Sequence, residues 1–248
     1  MLGLGNNLAR GGAISGLTNN YSLAFDGTND YVNCGASSDF DLTNNWTISC
    51  WAKNDNATTR GDARENMIAK YLTGTDSRCW RIVINQTMAS FSVSGDGKGA
   101  TTATVDATGI TVNAWNHYVA TFASGVMSVY VNGTVEISTD HTSKLGGTTS
   151  NTDSGADLIL GSYGAGSYQH FEGNIDEVVI YNKVLSAGDI SALYSARGTA
   201  NLNDDGNSGN LVGWWRFEEG SGTSATDSSP NTNTGTLTNA PAYSASTP

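Results

Sequence analysis

The sequence predicts an all-β protein built as an antiparallel sandwich, because its composition favours turns and its apolar residues recur at every second position. Charged residues make up only 14% of the 248-residue chain, which contains 30 glycines and much Ser, Thr and Asn. Such a composition is typical of many short strands joined by tight turns. Residues 46–51 (WTISCW) and 90–93 (SFSV) alternate apolar and polar side chains, as strands with one face in a core do.

The first strands can be followed in chain order. Leu23 and Phe25 share one face of the opening strand, which then turns at an Asp-Gly pair. In the strand at 46–51, one tryptophan should lie in the core and the other on the far side of the sheet. The polar segment 54–65 is predicted to be a long loop, the usual place for binding on a sandwich.

Later strands lead to a clear hairpin. Trp115, His117 and Val119 share one face of their strand, and we interpret His117 as a hydrogen-bonded interior or rim histidine rather than a general base. Asn132-Gly133 is the strongest two-residue hairpin signal in the chain. Residues 175–181 then combine closely spaced apolar side chains with two carboxylates, as in a strand near a sheet rim.

One short helix is predicted near residues 186–197. Ser186 is a suitable N-cap, and Asp189 follows three residues later as its capping-box partner. Ile190 and Leu193 belong to one apolar face, and Gly198 supplies the stop.

Five stretches, in order, resemble the motifs of laminin G-like modules in the concanavalin A-like lectin/glucanase superfamily. The resemblance implies an antiparallel jelly-roll sandwich over about residues 21–198. It says little about activity, since this fold hosts lectins, glucanases and structural modules. The stretches are 23–32 (LAFDGTNDYV), 46–51 (WTISCW), 115–122 (WNHYVATF), 129–133 (VYVNG) and 173–194 (GNIDEVVIYNKVLSAGDISALY).

The order of the segments departs from the family pattern near the C-terminus. Residues 211–222 (LVGWWRFEEGSG) resemble what normally precedes the opening strand, yet here they follow the helix. They could close the same sandwich, as in a natural circular permutation, or pair with a neighbouring subunit as a donated strand; we favour closure within the chain. The predicted organisation is a flexible arm (1–20), a sandwich (21–198), a polar linker (199–210), a displaced strand segment completing the sandwich (211–231) and an extended tail (232–248).

Alternation assigns the side chains of the displaced strand to two faces. Val212 and Trp214 should lie on one side, with Trp215 and Phe217 on the other. A strand with bulky apolar groups on both sides needs both faces covered.

Charge and cysteine content exclude several classes. The net charge of −11 argues against a nucleic-acid partner, because phosphates need a basic surface. Cys34, Cys50 and Cys79 are odd in number and lack Cys-x-x-Cys spacing, so neither a disulfide framework nor a zinc site is indicated. The N-terminal residues do not look like a secretory signal, and no apolar run approaches the ~20 residues of a membrane span, so we expect no membrane partner.

Catalysis is not predicted. A glucanase needs two carboxylates facing one sugar, and the Glu-x-Asp-x-x-Glu string that related laminarinase-type enzymes carry does not occur. Asp176 and Glu177 are adjacent in a strand, so we expect them on opposite faces. No nucleophile elbow or phosphate loop is present either.

The resemblance implies a structural Ca²⁺ at the sandwich rim, held by carboxylates of the opening strand, the closing strand and the displaced segment. Oxygen ligands from separate strands would suit this ion. The alternative is that the same carboxylates only make turns and rim hydrogen bonds. The residues carried over are Asp26, the Gly27 carbonyl, Asp176, and Glu218 or Glu219, with Asp30 and Asp227 as outside candidates.

Sugar binding is the second ligand hypothesis. Aromatic rings with polar loop groups suit a pyranose, which has an apolar face and a ring of hydroxyls. Tyr163, Tyr168, His170 and Asn174 fit that description, as would an ordinary tyrosine-rich loop.

The resemblance extends to modules of bacteriophage virion proteins. We therefore hypothesise a non-enzymatic virion structural or surface protein, a capsid decoration or fibre component, made in the host cytoplasm. Its partners would be other virion proteins or its own copies in a homo-oligomer. The alternative is a carbohydrate-binding lectin module that recognises host or environmental glycans and acts outside the cell.

Overall fold

The structure, a computed structural model, describes residues 16–55, 64–74, 76–85, 88–152, 155–164 and 169–248. These residues form two antiparallel sheets of eight strands each, packed as a sandwich as predicted. The front sheet contains β1 (Ser22–Asp26), β3 (Asn45–Asn54), β8 (Asn116–Ala123), β9 (Val126–Val131), β10 (Thr134–Asp140), β12 (Glu172–Tyr181), β13 (Leu211–Trp215) and β16 (Ala242–Ser244). The back sheet contains β2 (Tyr31–Asn33), β4 (Glu65–Leu72), β5 (Ser77–Asn85), β6 (Met88–Ser94), β7 (Thr102–Ala107), β11 (Leu158–Leu160), β14 (Ser224–Ala225) and β15 (Gly235–Thr238).

Neighbouring strands follow the order β10-β9-β8-β3-β12-β1-β16 in the front sheet and β14-β15-β2-β11-β4-β5-β6-β7 in the back sheet. Strand β12 is central: it pairs with β3 along one side, and with β1 and then β13 along the other. Most of the predicted loop at 54–65 and the arm at 1–15 lie outside the described residues.

Aromatic side chains fill the space between the sheets. Trp46 stacks on Phe122 with ring centroids 5.3 Å apart and also contacts Trp80 and Phe91. Burial of a large apolar side chain contributes about 1.5–3 kcal/mol, so this cluster is a main source of stability. Trp51 lies on the other face of β3, as the alternation predicts.

Helix α2 (Ala187–Ala196) covers the outer face of the front sheet. Ser186 and Asp189 form the predicted capping box, which satisfies N–H groups at the helix start. A second apolar cluster lies beneath the helix, separate from the core between the sheets. It comprises Val119, Val179, Tyr181, Leu185, Ile190, Leu202, Leu211 and Trp214. A single-turn helix, α1 (Thr142–Leu145), is an addition to the one predicted helix.

The C-terminal segment supplies strands to both sheets of its own chain. Strand β13 pairs with β12, β15 with β2, and β16 with β1. Residues 232–248, expected to be an extended tail, thus contain two strands that extend the sheets. The face assignment also needs correction: a bulge opposite Tyr181 shifts Val212 to the main core with Trp215 and Phe217, whereas Trp214 lies in the outer cluster.

Cys34, Cys50 and Cys79, which are all described, are buried and form no disulfide. Within the described part of the chain, helices are too short or too polar to span a bilayer.

Candidate functional site

The residues predicted to share Ca²⁺ lie at the two ends of β1. Asp26 is opposite Glu172 in β12. Glu172 and Asp176 are four positions apart in this strand, a separation of roughly 13 Å at about 3.3 Å per residue. Glu218 is at the Asp176 end, where its Oε1 accepts hydrogen bonds from both backbone N–H groups of residues 20–21. The four predicted ligands are therefore not brought together.

Asp26 and Gly27 form a turn, as the alternative interpretation holds. Asp26 Oδ1 accepts a hydrogen bond from the Thr28 backbone N–H at 2.7 Å, and Gly27 has a φ of 71°, which favours glycine. No three His, Cys, Asp or Glu side chains among the described residues are placed to hold a metal ion. Calcium binding stays a prediction.

Asp176 and Glu177 share the outer face of the front sheet, and not opposite faces as the alternation predicts. A bulge interrupts β12 at this point, and Glu177 has a left-handed backbone with φ 47°. The flanking Ile175 and Val178 both pack in the main core, while the two carboxylates both contact groups outside it. Strict two-residue alternation fails at a bulge because one extra residue enters the strand.

Both carboxylates are buried and satisfied by neighbouring donors. Glu177 accepts a hydrogen bond from Trp214 Nε1 at 2.6 Å and pairs with Arg216 Nε at 3.2 Å. Asp176 accepts one from Asn19 Nδ2 at 3.0 Å. Asp176 is 0% and Glu177 5% exposed, so a saccharide cannot reach either of them.

Burial dominates the protonation of this pair. It raises the pKa of Glu177 to about 7, although Arg216 and Trp214 act in the opposite direction. Burial, together with the charge of Glu177, raises the pKa of Asp176 well above its ordinary range. A carboxyl group with a shifted pKa can indicate a catalytic site. Here the neighbouring groups that bury the two carboxylates also block access from solvent.

His117 belongs to the same sealed region. Its Nε2 lies 2.7 Å from Ser49 Oγ, and its ring lies beside those of Trp51 and Tyr194. Burial lowers the pKa of His117 to about 3, so the ring is neutral at physiological pH. The adjoining cavity of about 20 Å³ has room for about one water molecule, not a substrate.

The four residues predicted to bind sugar do not form one site. Tyr163 packs against Tyr71 on the outer face of the back sheet, with ring centroids 6.0 Å apart. Asn174 belongs to the front sheet, where its Nδ2 donates to Ser22 Oγ at 3.0 Å. His170 lies near Asp30, and Tyr168 lies outside the described residues.

A groove of about 600 Å³ opens at the end of the sandwich where β3 and β13 begin and β12 ends. We call it the polar groove. Apolar side chains of Leu42, Leu211 and Val212 contribute to its lining. Its polar residues include Asp39, Asp41, Thr43, Asn45, Asn182 and Asn210.

Neighbouring groups orient the polar side chains of the groove. Asp41 Oδ1 is held by Nζ of the fully buried Lys70 at 2.7 Å, and Asp39 Oδ2 by Asn233 Nδ2 at 2.9 Å. Asn182 Oδ1 accepts from Asn210 Nδ2 at 2.9 Å. The second carboxylate oxygen of each aspartate and the Asn182 amide N–H groups make no hydrogen bond to a described residue, so the groove offers both acceptors and donors.

The sequence analysis did not identify these groove residues. Asp39 and Asp41 flank Phe40, which is fully buried in a short 3₁₀ turn over Ser38–Phe40. A buried aromatic residue between two aspartates was the available signal, because such a residue anchors a turn and leaves its neighbours at the surface. Their meeting with Asn182, more than 140 positions away, depends on the tertiary fold.

Comparison with known families agrees with this architecture. Residues 26–191 match a family model described as the concanavalin A-like lectin/glucanases superfamily. No curated protein sequence matches the chain.

Solved structures of similar fold come from bacteria and from an arthropod. A Bacteroides ovatus protein to which carbohydrate binding has been attributed aligns with a TM-score of 0.63 and 14% identity over 91% of this chain and 62% of its own, so this chain spans about three fifths of it. The Ruminococcus gnavus IT-sialidase CBM40 bound to α2,3-sialyllactose aligns with a TM-score of 0.55 and 16% identity over 70% of this chain and 95% of its own. A heptameric pentraxin of Limulus polyphemus aligns with a TM-score of 0.51 and 11% identity over 71% of this chain and 82% of its own.

Proposed function

The chain belongs to the concanavalin A-like lectin/glucanases superfamily, and we propose that it is a non-enzymatic module that binds carbohydrate in the polar groove. The observation that carries this proposal is the set of oriented carboxylate and amide groups in an open groove of about 600 Å³. The carbohydrate binding named for the B. ovatus and R. gnavus proteins supports it.

The chemistry of the groove matches that of a sugar. Each saccharide hydroxyl donates and accepts hydrogen bonds, so it needs both carboxylate acceptors and amide donors. Asp39, Asp41 and Asn182 supply these groups, and their second bonds to protein neighbours hold them in place. Pre-oriented side chains lose less entropy on binding.

Cleavage of the bound sugar is not supported. Glycoside hydrolysis needs one carboxyl group that stays protonated as the acid and a second that acts as nucleophile or base. In the groove, Asp41 is paired with Lys70 and Asp39 accepts a hydrogen bond from Asn233. The two carboxyl groups whose pKa burial raises, those of Asp176 and Glu177, are buried elsewhere.

The test is a glycan array followed by titration calorimetry with the best neutral oligosaccharide. We expect Asp39→Ala to weaken binding by roughly ten- to a hundredfold, because hydrogen bonds to charged groups contribute about 1.5–3 kcal/mol. Asn182→Ala should weaken it less. Asn29→Ala is the matched control, since Asn29 is exposed in the β1–β2 turn at the other end of the sandwich.

Two outcomes would count against this function. A blank array at high protein concentration would contradict carbohydrate binding. Equal affinities of the wild type, Asp39→Ala and Asn29→Ala would show that the carbohydrate does not bind in the polar groove. New reducing ends released from the bound oligosaccharide would contradict the non-enzymatic assignment. The virion role, its partner proteins and homo-oligomer, and the structural Ca²⁺ stay predictions from sequence resemblance.

A further inference from the structure

A single row of side chains crosses the outer face of the back sheet in register. Thr104 pairs with Ser92, Ser92 with Arg81, Arg81 with Ala69, and Ala69 with Ile159. Every member except Arg81 is short or apolar. Phe91 and Val93, the neighbours of Ser92 in β6, point into the core, which leaves Arg81 as the one long cation in this row.

Two tyrosines fix the position of Arg81. Its guanidinium carbon lies 4.4 Å from the ring centroid of Tyr71 and 5.6 Å from that of Tyr163. A guanidinium stacked on aromatic rings has lost most of its rotamer freedom. Tyr163, predicted to bind sugar, thus positions the cation instead.

Arg81 has no anionic partner among the described residues. It takes part in none of the ion pairs formed by described residues, its buried Nε has no hydrogen-bond partner, and its Nη1 makes one long contact of 3.4 Å with Gln169 Oε1. A buried donor left unsatisfied costs about 1–3 kcal/mol. This is unusual in a chain with a net charge of −11.

The neighbouring charges add to this excess of cations. Burial, and then the like charges of Arg64 and Arg78, lower the pKa of Arg81, with the two tyrosines acting in the opposite sense. Asp106, on the same face, is two strands away, and its Oδ1 accepts a hydrogen bond from Ser90 Oγ at 2.6 Å. The local surface therefore attracts an anion.

We propose that Arg81 binds the carboxylate or sulfate group of an acidic saccharide whose ring lies on the Ser92–Thr104 part of the back sheet. Arg81 is partly exposed, and the N–H groups of its Nη atoms can donate to two oxygens of one oxyanion. The hydroxyl group of the exposed Thr104, 3.0 Å from that of the buried Ser92, can bond a sugar hydroxyl. The saccharide rests on the proposed function, but this site is distinct from the polar groove.

Side-chain NMR of the wild-type protein tests the site directly, and a variant is needed only to assign the signal. The Arg81 Nε–H signal, assigned by its loss in Arg81→Lys, is followed during titration with glucose, glucuronate and glucose 6-sulfate, which differ only at C6. We expect saturable shifts with one or both acidic sugars and none with glucose. Comparison of glucuronate with the sulfate ester tells which oxyanion is preferred. No shift with either acidic sugar, or equal shifts with glucose, would overturn the proposal.

Variants separate this site from the groove. Arg81→Gln should weaken binding of the preferred acidic sugar by roughly ten- to a hundredfold, with Lys144→Gln, an exposed lysine, as the control for the same loss of charge. If Asp39→Ala abolishes acidic-sugar binding and Arg81→Gln does not, this proposal fails and the groove function stands. If the groove binds no neutral oligosaccharide while Arg81 still binds glucuronate, the groove function fails and the Arg81 proposal stands.

Discussion

The outer face of the front sheet is covered by α2 and the C-terminal segment, whereas the edge strand β7 of the back sheet leaves Thr104 and Asp106 exposed on its outer face. On the front face, Glu177 contacts Arg216 at 3.2 Å and Trp214 Nε1 at 2.6 Å, and an apolar cluster surrounds them. On the back face, Arg81 stacks on two tyrosine rings and forms no ion pair with a described residue.

The difference indicates two roles for charged groups on one sandwich. A buried charge with a complete set of partners contributes to a unique packing arrangement, and loss of one partner is costly. A partly exposed charge held in place without a counterion is instead ready for a ligand. Changes on the front face should therefore alter stability, and changes on the back face should alter binding.

Trp214→Ala should give the largest loss of stability. Trp214 is 1% exposed, and truncation of a buried tryptophan costs about 3–5 kcal/mol. It also leaves Glu177 without one of its donors. The free energy of unfolding from urea titration at pH 7 measures the loss. Trp214→Phe keeps most of the ring and should cost less, and a loss below about 1 kcal/mol for Trp214→Ala would show that the outer cluster is not structural.

Glu177→Gln tests the protonation of the front face. The pKa of Glu177 is raised from 4.5 to about 7, so between these values the folded state holds a proton that the unfolded state releases. The contribution of this proton to the free energy of unfolding is complete below pH 4.5 and is lost as the pH rises through 7. At 1.36 kcal/mol per pKa unit, the contribution amounts to about 3 kcal/mol.

Unfolding free energies of the wild type and Glu177→Gln are compared from pH 5 to pH 8, which cancels the titration of groups that do not interact with Glu177. The difference should move in favour of the variant by up to about 3 kcal/mol as the pH rises. Glu136→Gln, at an exposed position in β10, should show no such change. A constant difference for Glu177→Gln would mean that the Arg216 pair keeps this carboxylate ionised.

The regular parts of the fold follow from the sequence. Two-residue alternation places Trp46 and Trp51 on opposite faces of β3, as observed, and Ser186 with Asp189 identifies the start of α2. Both signals are local, because they depend on the geometry of one strand or one helical turn.

The errors occur where nonlocal packing changes local geometry. The bulge at Glu177 brings two carboxylates to one face, and a second bulge moves Val212 into the core. The candidate sites were missed for a related reason: Asp39 meets Asn182, and Arg81 meets Tyr163, only after distant strands pair. The spacing of residues in the sequence does not predict those contacts.

The smallest effects come from one substitution made on both faces. Ser49 and Ser92 are 2% and 3% exposed, so Ser→Ala removes a hydroxyl from similarly buried positions. Ser49 Oγ is 2.7 Å from Nε2 of the buried His117, whose Nδ1 also lacks a partner. Loss of that contact should cost about 1–3 kcal/mol.

Ser92 Oγ instead contacts Thr104, which is exposed and can turn to water. The free energy of unfolding of Ser92→Ala should therefore stay within about 0.5 kcal/mol of the wild type. Thermal and urea unfolding of the two variants measure both values. Equal losses would mean that the Thr104 hydroxyl is not free to turn to water, and would argue against the contact proposed between this hydroxyl and an acidic sugar.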